Sequence, residues 1–309
     1  MNTLLFAHDS CLDHDTGPGH PECAARLRAV RAALEGEAFM FLDRRDAPRA
    51  TIDQLTRVHP ADHVRRALAI IPETGWRDID GDTVISPGSG EAALRAAGAV
   101  VAAVDAVMDG QGRNAFCAVR PPGHHAEPER IMGFCLFNNV AIGALHARAA
   151  HGARRVAVVD FDVHHGNGTQ AIFWNDPNLF YASIHQAPLF PGTGHAHETG
   201  GHGNIVNIPL PAGAGSPEFR DAMARDVLPA LERFGPDLLM ISAGFDAHAL
   251  DPLAGLDLTE DDFAWATSRL GALAADLCCG RIVSTLEGGY HPGALAASAA
   301  AHVRELLIL

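Results

Sequence analysis

Four apolar, strand-like segments of this chain each run directly into polar residues. AFCAV leads to His124 and His125, VAVVD to Asp162 and His164, LLMIS to Asp246, and IVSTL to Glu287 and Tyr290. In an open, mostly parallel α/β sheet the ligand crevice lies outside the carboxyl ends of the strands, so these endings can converge in space. The residue types are those that a mononuclear metal hydrolase needs. The spacing therefore predicts an enzyme with one metal site.

Asp162 and His164 form the first pair of candidate metal ligands. They lie two residues apart just beyond a strand, and in extended backbone such side chains point to the same side. Asp246 can add a third ligand and leave positions open for water and substrate, as in catalytic sites. The D-x-H pattern alone is common, and a loop aspartate that caps a helix explains it as well. The same short segment also holds Asp160, His165 and Asn167, which favours a site for zinc or ferrous iron.

His124 and His125 follow Arg120-Pro121-Pro122-Gly123, where two prolines and a glycine predict a rigid turn. Rigid placement suits a general base and its electrostatic partner. Glycines before Tyr290, including Gly288, let the backbone approach a ligand closely. Tyr290 could donate a hydrogen bond to an oxyanion opposite the metal. Taken alone, Tyr290 fits a structural role equally well.

The elements that must position these residues follow from hydrophobic periodicity. Apolar segments of strand length alternate with Ala-rich segments of helical period, which predicts βαβ units. We expect a single α/β domain over residues 1–309, with a central, mostly parallel sheet flanked by helices and the site at the carboxyl ends of the strands. The predicted strands are 3–7, 115–119, 156–160, 179–184, 205–208, 237–242 and 282–286. The predicted helices are 22–35, 60–70, 91–108, 138–151, 217–234, 259–278 and 293–307.

A Gly-, His- and Pro-rich connection covers residues 185–204 and is longer than usual for a compact domain. Such loops tend to be functional or mobile, and this one is expected to line the site. Its three glycine-spaced histidines lack the fixed geometry of a second metal site, so we expect solvent exposure for His195, His197 and His202.

Composition excludes several classes of function. The formal net charge of −14 at pH 7 argues against a nucleic-acid partner. All 23 basic residues are arginines, which, with abundant Ala and Gly, is typical of a GC-rich bacterial source. The six cysteines contain no CxxC pair, so a reduced, cytoplasmic protein is expected. Arg95 and Asp105 interrupt the longest mostly apolar helical segment, and no signal peptide is evident, so no membrane association is expected.

Ordered motifs over nearly the whole chain resemble the histone deacetylase family, and within it the class II type. They are Gly19-His20-Pro21-Glu22, RPPGHHAE at 120–127, GFCLFNNVAI at 133–142, VDFDVHHGNGTQ at 159–170, FPGTG at 190–194, SAGFDAH at 242–248 and LEGGY at 286–290. The resemblance implies an arginase-like α/β fold. It also implies hydrolysis of an acylated amine, above all N-ε-acetyl-lysine in a peptide or protein.

The resemblance further implies a role for each matching residue. Zinc would be held by Asp162, His164 and Asp246. His125 would be the base toward the attacking water and then the acid toward the leaving amine. His124 would support it, oriented by Asp160.

Asn167 stands where class I enzymes carry an Asp, so the imidazolium form of His125 should be less strongly held. Tyr290 would polarise the amide carbonyl and hold the oxyanion. Phe134 and Phe190 would wall a channel for the acyl-lysine stem, with the backbone of Gly133 near its floor; apolar walls suit four methylenes.

Structural potassium ions are also implied by the resemblance. The matching positions are Asp160, Asp162, His164, Ser183 and Ile184 at one site and Phe173, Asp176 and Leu179 at another. The helix faces left free by the short termini leave room for a homo-oligomer.

Three other readings compete with this one. A dinuclear arginase-like site would need further carboxylates, but His165-Gly166 follows His164, and the residue two beyond Asp246 is His248. A degenerate acyl-binding module would have lost a ligand, a base or the tyrosine, and all are present.

Acetylpolyamine or small-amide deacetylation is the serious alternative. Polyamine-selective relatives carry a Glu where this chain has Leu253, whose apolar side chain cannot pair with a cationic amine. Asp251 or Glu198 could compensate for that missing charge. The favoured substrate is therefore an acyl-lysine, with a small acetylated amine as the alternative.

Overall fold

Eight parallel strands form the central sheet of the computed structural model, which describes residues 2–309. In chain order the strands are β1 (Thr3–Ala7), β2 (Asp43–Asp46), β3 (Arg77–Asp78), β4 (Val84–Ile85), β5 (Asn114–Cys117), β6 (Val156–Asp160), β7 (Leu179–Gln186), β8 (Ile205–Leu210), β9 (Leu238–Ala243) and β10 (Ile282–Leu286). The sheet order is β2-β1-β5-β10-β9-β6-β7-β8, and β3 pairs with β4 separately. The predicted parallel α/β fold is confirmed.

Helices cover both faces of this sheet. They are α1 (Ala24–Ala33), α2 (Ile52–Leu55), α3 (Ala61–Ala69), α4 (Ser89–Met108), α5 (Asn139–His151), α6 (Asn167–Phe173), α7 (Ser216–Ala222), α8 (Leu228–Phe234), α9 (Glu260–Cys278) and α10 (Pro292–Ile308). Helices α4 and α5 pack together on one face, and α1, α9 and α10 pack on the other. Both faces of the central strands are therefore buried, which is why their sequences are almost continuously apolar. Within residues 2–309, no helix has both the length and the apolar character needed to cross a bilayer.

The four strands that end in polar motifs are neighbours at the centre of the sheet, in the order β5-β10-β9-β6. Their register brings the ends level: Thr285 pairs with both Cys117 and Ser242, and Ser242 pairs with Asp160. Parallel pairing then carries all four polar endings to the same edge. The convergence expected from the sequence is present.

The hydrophobic periodicity missed the edge strand β2 and helix α6, among other short elements. The edge strand β2 reads Asp43-Arg44-Arg45-Asp46 and has no apolar residue, so only its pairing with β1 makes it a strand. Helix α6 begins at Asn167, within the motif over 159–170 that supplies two candidate ligands, and it reads NGTQAIF. Tertiary contacts rather than local preference define both.

The helix predicted over 217–234 is real but not uniform. It begins at Ser216, one residue early, and a wide π-helical turn over Met223–Val227 separates α7 from α8. Pro229 explains the turn, because its ring would clash with the carbonyl four residues earlier and it has no N–H to donate. The Leu228 N–H donates to the Met223 carbonyl five residues back.

His302 of α10 lies in the apolar core beneath the site. Its ring packs 5.6 to 5.9 Å from the rings of Phe116, Phe161 and Phe245. Its two nitrogens lie 2.6 and 2.8 Å from the hydroxyls of Thr267 and Ser284. Burial lowers the pKa of His302 to about 3, so the folded protein keeps the ring neutral.

Acid should therefore destabilise the fold through this residue. Below the ordinary His pKa of about 6.5, His302 binds a proton in the unfolded chain but not in the folded one. The free energy of unfolding therefore falls as the pH falls from 6.5 toward 3. Between pH 6.5 and 5.0 the wild type should lose about 1.6 kcal/mol more unfolding free energy than a His302→Asn variant. Urea unfolding at several pH values measures this difference. Equal losses in both proteins would contradict the assignment.

Candidate active site

Two carboxylates and one imidazole meet beyond β6 and β9. His164 Nδ1 lies 3.2 Å from Asp162 Oδ1 and 3.1 Å from Asp246 Oδ2. Ligands about 2.0 to 2.2 Å from a tetrahedral zinc would be roughly 3.3 Å apart, so these three atoms fit around one ion. All three residues are buried, and the site has the predicted Asp, His, Asp composition.

The electrostatics of this cluster call for a cation. Burial, and then the charge of Asp162, raise the pKa of Asp246 to about 7. Burial alone would lower the pKa of His164, but hydrogen bonds with Asp162 and Asp246 raise it to about 10. Without a metal, the carboxylates thus hold a positive charge between them as a protonated imidazole. A divalent cation satisfies the same demand.

Two glycines leave room for the carboxylates. A Cβ on Gly244 would overlap Asp162, and one on Gly288 would overlap both Asp162 and Asp246. The Gly288 N–H donates to Asp162 Oδ2 at 2.8 Å. Gly288 therefore packs against both candidate ligands and supports Asp162, and its contact with substrate stays a prediction.

His124 is held by an acid beneath it, as the resemblance implies. Its Nδ1 lies 2.9 Å from Asp160 Oδ2, which also accepts the Tyr181 hydroxyl at 3.0 Å. Burial alone would lower the pKa of His124, but Asp160 and then Asp162 raise it to about 10. The geometry fits a charged imidazolium in the supporting position.

His125 has the opposite character. Its Nδ1 lies 2.9 Å from Asn167 Oδ1, so Nδ1 carries the proton and Nε2 is free to accept one. Burial first, and then the positive charges of His124 and His164, hold its pKa well below the ordinary value. Two adjacent histidines, with ring centroids 4.0 Å apart, are thus driven to different protonation states.

A cavity of ≈ 210 Å³ leads to these groups. Its lining includes the predicted Gly133, Phe134, Phe190, Leu253 and Tyr290, together with His125 and His164. The Phe190 ring lies 5.1 Å from that of His125, and the Phe134 ring 5.8 Å from that of Tyr290, so the two phenylalanines stand on different walls. The volume is below that of a drug-sized pocket and suits one narrow chain.

The Phe134 wall is held in an unusual backbone conformation. Gly133 and Phe134 have φ values of 57° and 65°, and a bulky residue in this left-handed region is strained. The Phe134 N–H donates to Thr83 Oγ1 at 3.0 Å, which holds the turn in place.

Glu287 is a buried acid whose part the sequence analysis missed. Its Oε2 accepts the N–H groups of Gly123 at 2.6 Å and His124 at 3.2 Å, and Ser242 donates to its Oε1 at 3.2 Å. Burial raises its pKa to about 7. The LEGGY motif contained the signal, since an acid directly after a buried strand needs partners.

A second buried acid, Glu22, ties the N-terminal loop to the site. Arg120 donates to both Glu22 oxygens at 2.5 and 2.6 Å, and Arg26 donates to Oε1 at 2.8 Å. Arg26 also donates to the carbonyls of Glu287 and Gly289 at 2.6 and 2.5 Å. Burial would raise the pKa of Glu22, but Arg120 holds it well below its usual range.

The acid that lines the cavity is not one of the two that the sequence analysis named as possible partners of a cationic amine. Asp82 lines the cavity, and burial raises its pKa. Asp251 instead accepts the N–H groups of Tyr290, His291 and Leu253 at 2.6, 3.3 and 3.0 Å. Glu198 accepts from Gln170 and from the Gly194 N–H. Asp251 and Glu198 are therefore committed to structural bonds.

The loop that carries Phe190 is tied down at several points. His165 lies 2.8 Å from the Thr193 hydroxyl and His185 lies 3.0 Å from the Gly194 carbonyl. His195, His197 and His202 are exposed, as expected.

The positions that the resemblance assigns to potassium fall in two places. At the first place, Asp160 of β6 is paired with Ser183 of β7, and Ile184 follows Ser183. Asp160 and Ser183 are buried, and their oxygens are ligands that suit a hard cation. At the second place, the carbonyls of Phe173, Asp176 and Leu179 lie 2.9, 3.2 and 2.8 Å from Asn204 Nδ2. Asn204 Nδ2 has two hydrogens to share among these three carbonyls, and each carbonyl has a second lone pair, so the second potassium position stays a prediction.

Asp105, His146 and His151 form another cluster of potential ligands, between α4 and α5. The two histidine Nε2 atoms lie 2.5 and 2.7 Å from Asp105 Oδ1. A metal-bound histidine donates its other N–H to an acceptor, but His146 Nδ1 faces the Arg57 guanidinium, a donor. The cluster therefore fits a hydrogen-bonded tie between helices better than a metal site.

Comparison with known proteins agrees with this geometry. The sequence profile of the histone deacetylase domain matches residues 20–306. A histone deacetylase-like amidohydrolase from Pseudomonas aeruginosa is 41% identical over 93% of this chain and 81% of its own length. Histone deacetylase 10, chloroplastic, from Oryza sativa subsp. japonica is 39% identical over 98% and 73%. The crystal structure of the HDA15 HD domain matches with a TM-score of 0.91 at 36% identity and covers 99% of this chain and 88% of that one.

Proposed function

The chain belongs to the histone deacetylase family, is a hydrolase of amide bonds, and on that premise we propose that it removes acetyl or similar acyl groups from lysine side chains with zinc. One observation carries the proposal. A narrow, aromatic-walled cavity ends at His125, His164 and Tyr290, so a linear acyl-amine that enters it meets a base, a metal ligand and a phenol together.

The residues divide the work as follows. The chemistry that a divalent cation would supply at Asp162, His164 and Asp246 is Lewis acidity toward the amide carbonyl and the attacking water. His125 Nε2 takes the proton of that water and then gives it to the leaving amine. Tyr290 donates a hydrogen bond to the carbonyl oxygen as it becomes an oxyanion. The imidazolium of His124 stabilises the same developing negative charge.

The cavity lining favours acyl-lysine over an acetylated polyamine. Leu253 contributes an apolar surface where a cationic chain would need a carboxylate, and Asp251 and Glu198 have their oxygens engaged elsewhere. Asp82 is the acid that a positively charged small amine could still reach, so acetylpolyamine deacetylation remains the second candidate.

A substrate panel distinguishes the two. We expect kcat/KM for an acetyl-lysine peptide to exceed that for acetylputrescine, and Leu253→Glu to shift the ratio toward acetylputrescine by about 10-fold, because a charge pair near the cavity is worth on the order of 1 kcal/mol or more. Leu253→Gln is the uncharged control of matched size. A wild type that prefers acetylputrescine would overturn the acyl-lysine assignment.

A further inference from the structure

The amide of Asn167 stands between His125 and a carboxylate that lies outside the cavity lining. Asn167 Oδ1 lies 2.9 Å from His125 Nδ1, and Asn167 Nδ2 donates to Glu127 Oε1 at 2.7 Å. Met132 Sδ, a weak acceptor, lies 3.3 Å from the same nitrogen. Both partners of the amide nitrogen are acceptors, so the oxygen is turned toward His125.

The backbone on either side of Glu127 is fixed. Asn138 Nδ2 donates to the Ala126 carbonyl at 3.2 Å. His59 accepts the Asn138 N–H at Nε2, 3.0 Å away, and its Nδ1 donates to the Pro128 carbonyl at 3.1 Å. Burial lowers the pKa of His59 to about 4, which keeps the ring neutral with one donor and one acceptor. Glu127 therefore meets Asn167 from a rigid position.

We propose that Glu127 is a positioning residue that sets the tautomer of His125 by holding the Asn167 amide in one orientation. If the amide turned over, its NH₂ group would face His125 Nδ1, and the ring proton would move to Nε2. A ring protonated at Nε2 cannot accept a proton from water. The proposal rests on the proposed function of His125 as the base.

An asparagine needs such an anchor because its two ends differ. An aspartate at the same position would present an oxygen to His125 in either orientation and would need none. With Asp at 167, Glu127 would instead repel a second carboxylate. The effect of removing Glu127 should therefore depend on which residue occupies position 167.

A double-mutant cycle tests this dependence. The experiment measures kcat and KM with an acetyl-lysine peptide for the zinc-loaded wild type, Glu127→Ala, Asn167→Asp and the double variant. We expect Glu127→Ala to lower kcat about 10- to 100-fold with KM unchanged, as is typical when an outer hydrogen-bond partner of a functional histidine is lost. In the Asn167→Asp background, the same change should leave kcat unchanged or raise it.

Two outcomes would overturn the proposal: an equal loss of kcat in both backgrounds, which indicates a merely structural role, or no loss with Asn167 present. Glu127→Gln keeps an acceptor and should retain most of kcat with the same zinc content, so a folding defect in Glu127→Ala does not leave the question open. A wild type that turns over neither acyl-lysine nor other acylated amines would instead contradict the proposed function itself.

Discussion

Replacing Tyr290 with Phe is expected to lower kcat by about 10²- to 10³-fold while the protein keeps its full metal content. The hydroxyl is the group that we propose donates to the oxyanion, and removing one such donor has this typical cost. The proposed metal ligands Asp162, His164 and Asp246 bond to one another and to the Gly288 N–H, and the substitution at Tyr290 changes none of these bonds. Steady-state kinetics with metal analysis on the same samples measures both quantities.

The supports of Tyr290 make this substitution a clean one. Asp251 accepts its backbone N–H at 2.6 Å, and the Arg26 guanidinium lies 4.8 Å from the ring centroid. Both contacts survive in a phenylalanine, because neither uses the hydroxyl. The expected loss therefore belongs to the hydroxyl alone. An unchanged kcat would show that the oxyanion is held elsewhere, and a rise in KM alone would assign Tyr290 to binding.

The candidate active site could be predicted from the sequence because each strand and the polar residues that follow it form one short, recognisable segment. Each of β5, β6, β9 and β10 is a mostly apolar, buried segment followed by its motif, so the strand and its chemistry were both visible locally. Parallel pairing then required the endings to share one edge. The family resemblance supplied the roles, which local pattern alone would have left open.

The residues that support the centre could not be found in this way. Glu22 and Arg120 are 98 positions apart, and Glu287 and Gly123 are 164 positions apart, yet each pair is joined by a buried hydrogen bond. No local spacing reports a partner at such a distance. Asp82 was missed for a similar reason, since it comes from a short connection next to β4 and reaches the cavity only through the fold.

Gly288 shows that a glycine in a motif can be needed for a contact other than the predicted one. A side chain at this position would overlap the carboxylates of Asp162 and Asp246, while the predicted contact of its backbone with substrate stays a prediction. A glycine in a motif indicates close approach, and only the fold says what approaches. Its backbone also supports the candidate metal site, because the Gly288 N–H donates to Asp162.

Asp246→Asn should abolish metal binding and activity while leaving the metal-free fold at least as stable as the wild type. The asparagine can still accept the Val163 N–H that Asp246 Oδ1 accepts at 2.9 Å. What it lacks is the negative charge, which in the metal-free protein is a liability, since burial and Asp162 raise the pKa of Asp246 to about 7. Removing that charge relieves the cost of burial and the repulsion with Asp162, which together outweigh the attraction to His164, and it removes the attraction that would hold a cation.

Thermal unfolding with and without zinc separates these two effects. At a zinc concentration 100 times Kd, the wild type should gain about 2.7 kcal/mol of stability, and Asp246→Asn should gain none. After chelation, the variant should unfold at or above the temperature of the wild type. Leu253→Gln, which alters the cavity wall but no ligand, is the matched control and should respond to zinc as the wild type does.

If Asp246→Asn kept one equivalent of zinc, Asp246 would not be a ligand; if it unfolded far below the chelated wild type, the carboxylate would be needed for the fold itself. The expected pairing of lost zinc response with retained stability would mean that this buried acid is present for the metal, at a cost to the fold that binding offsets.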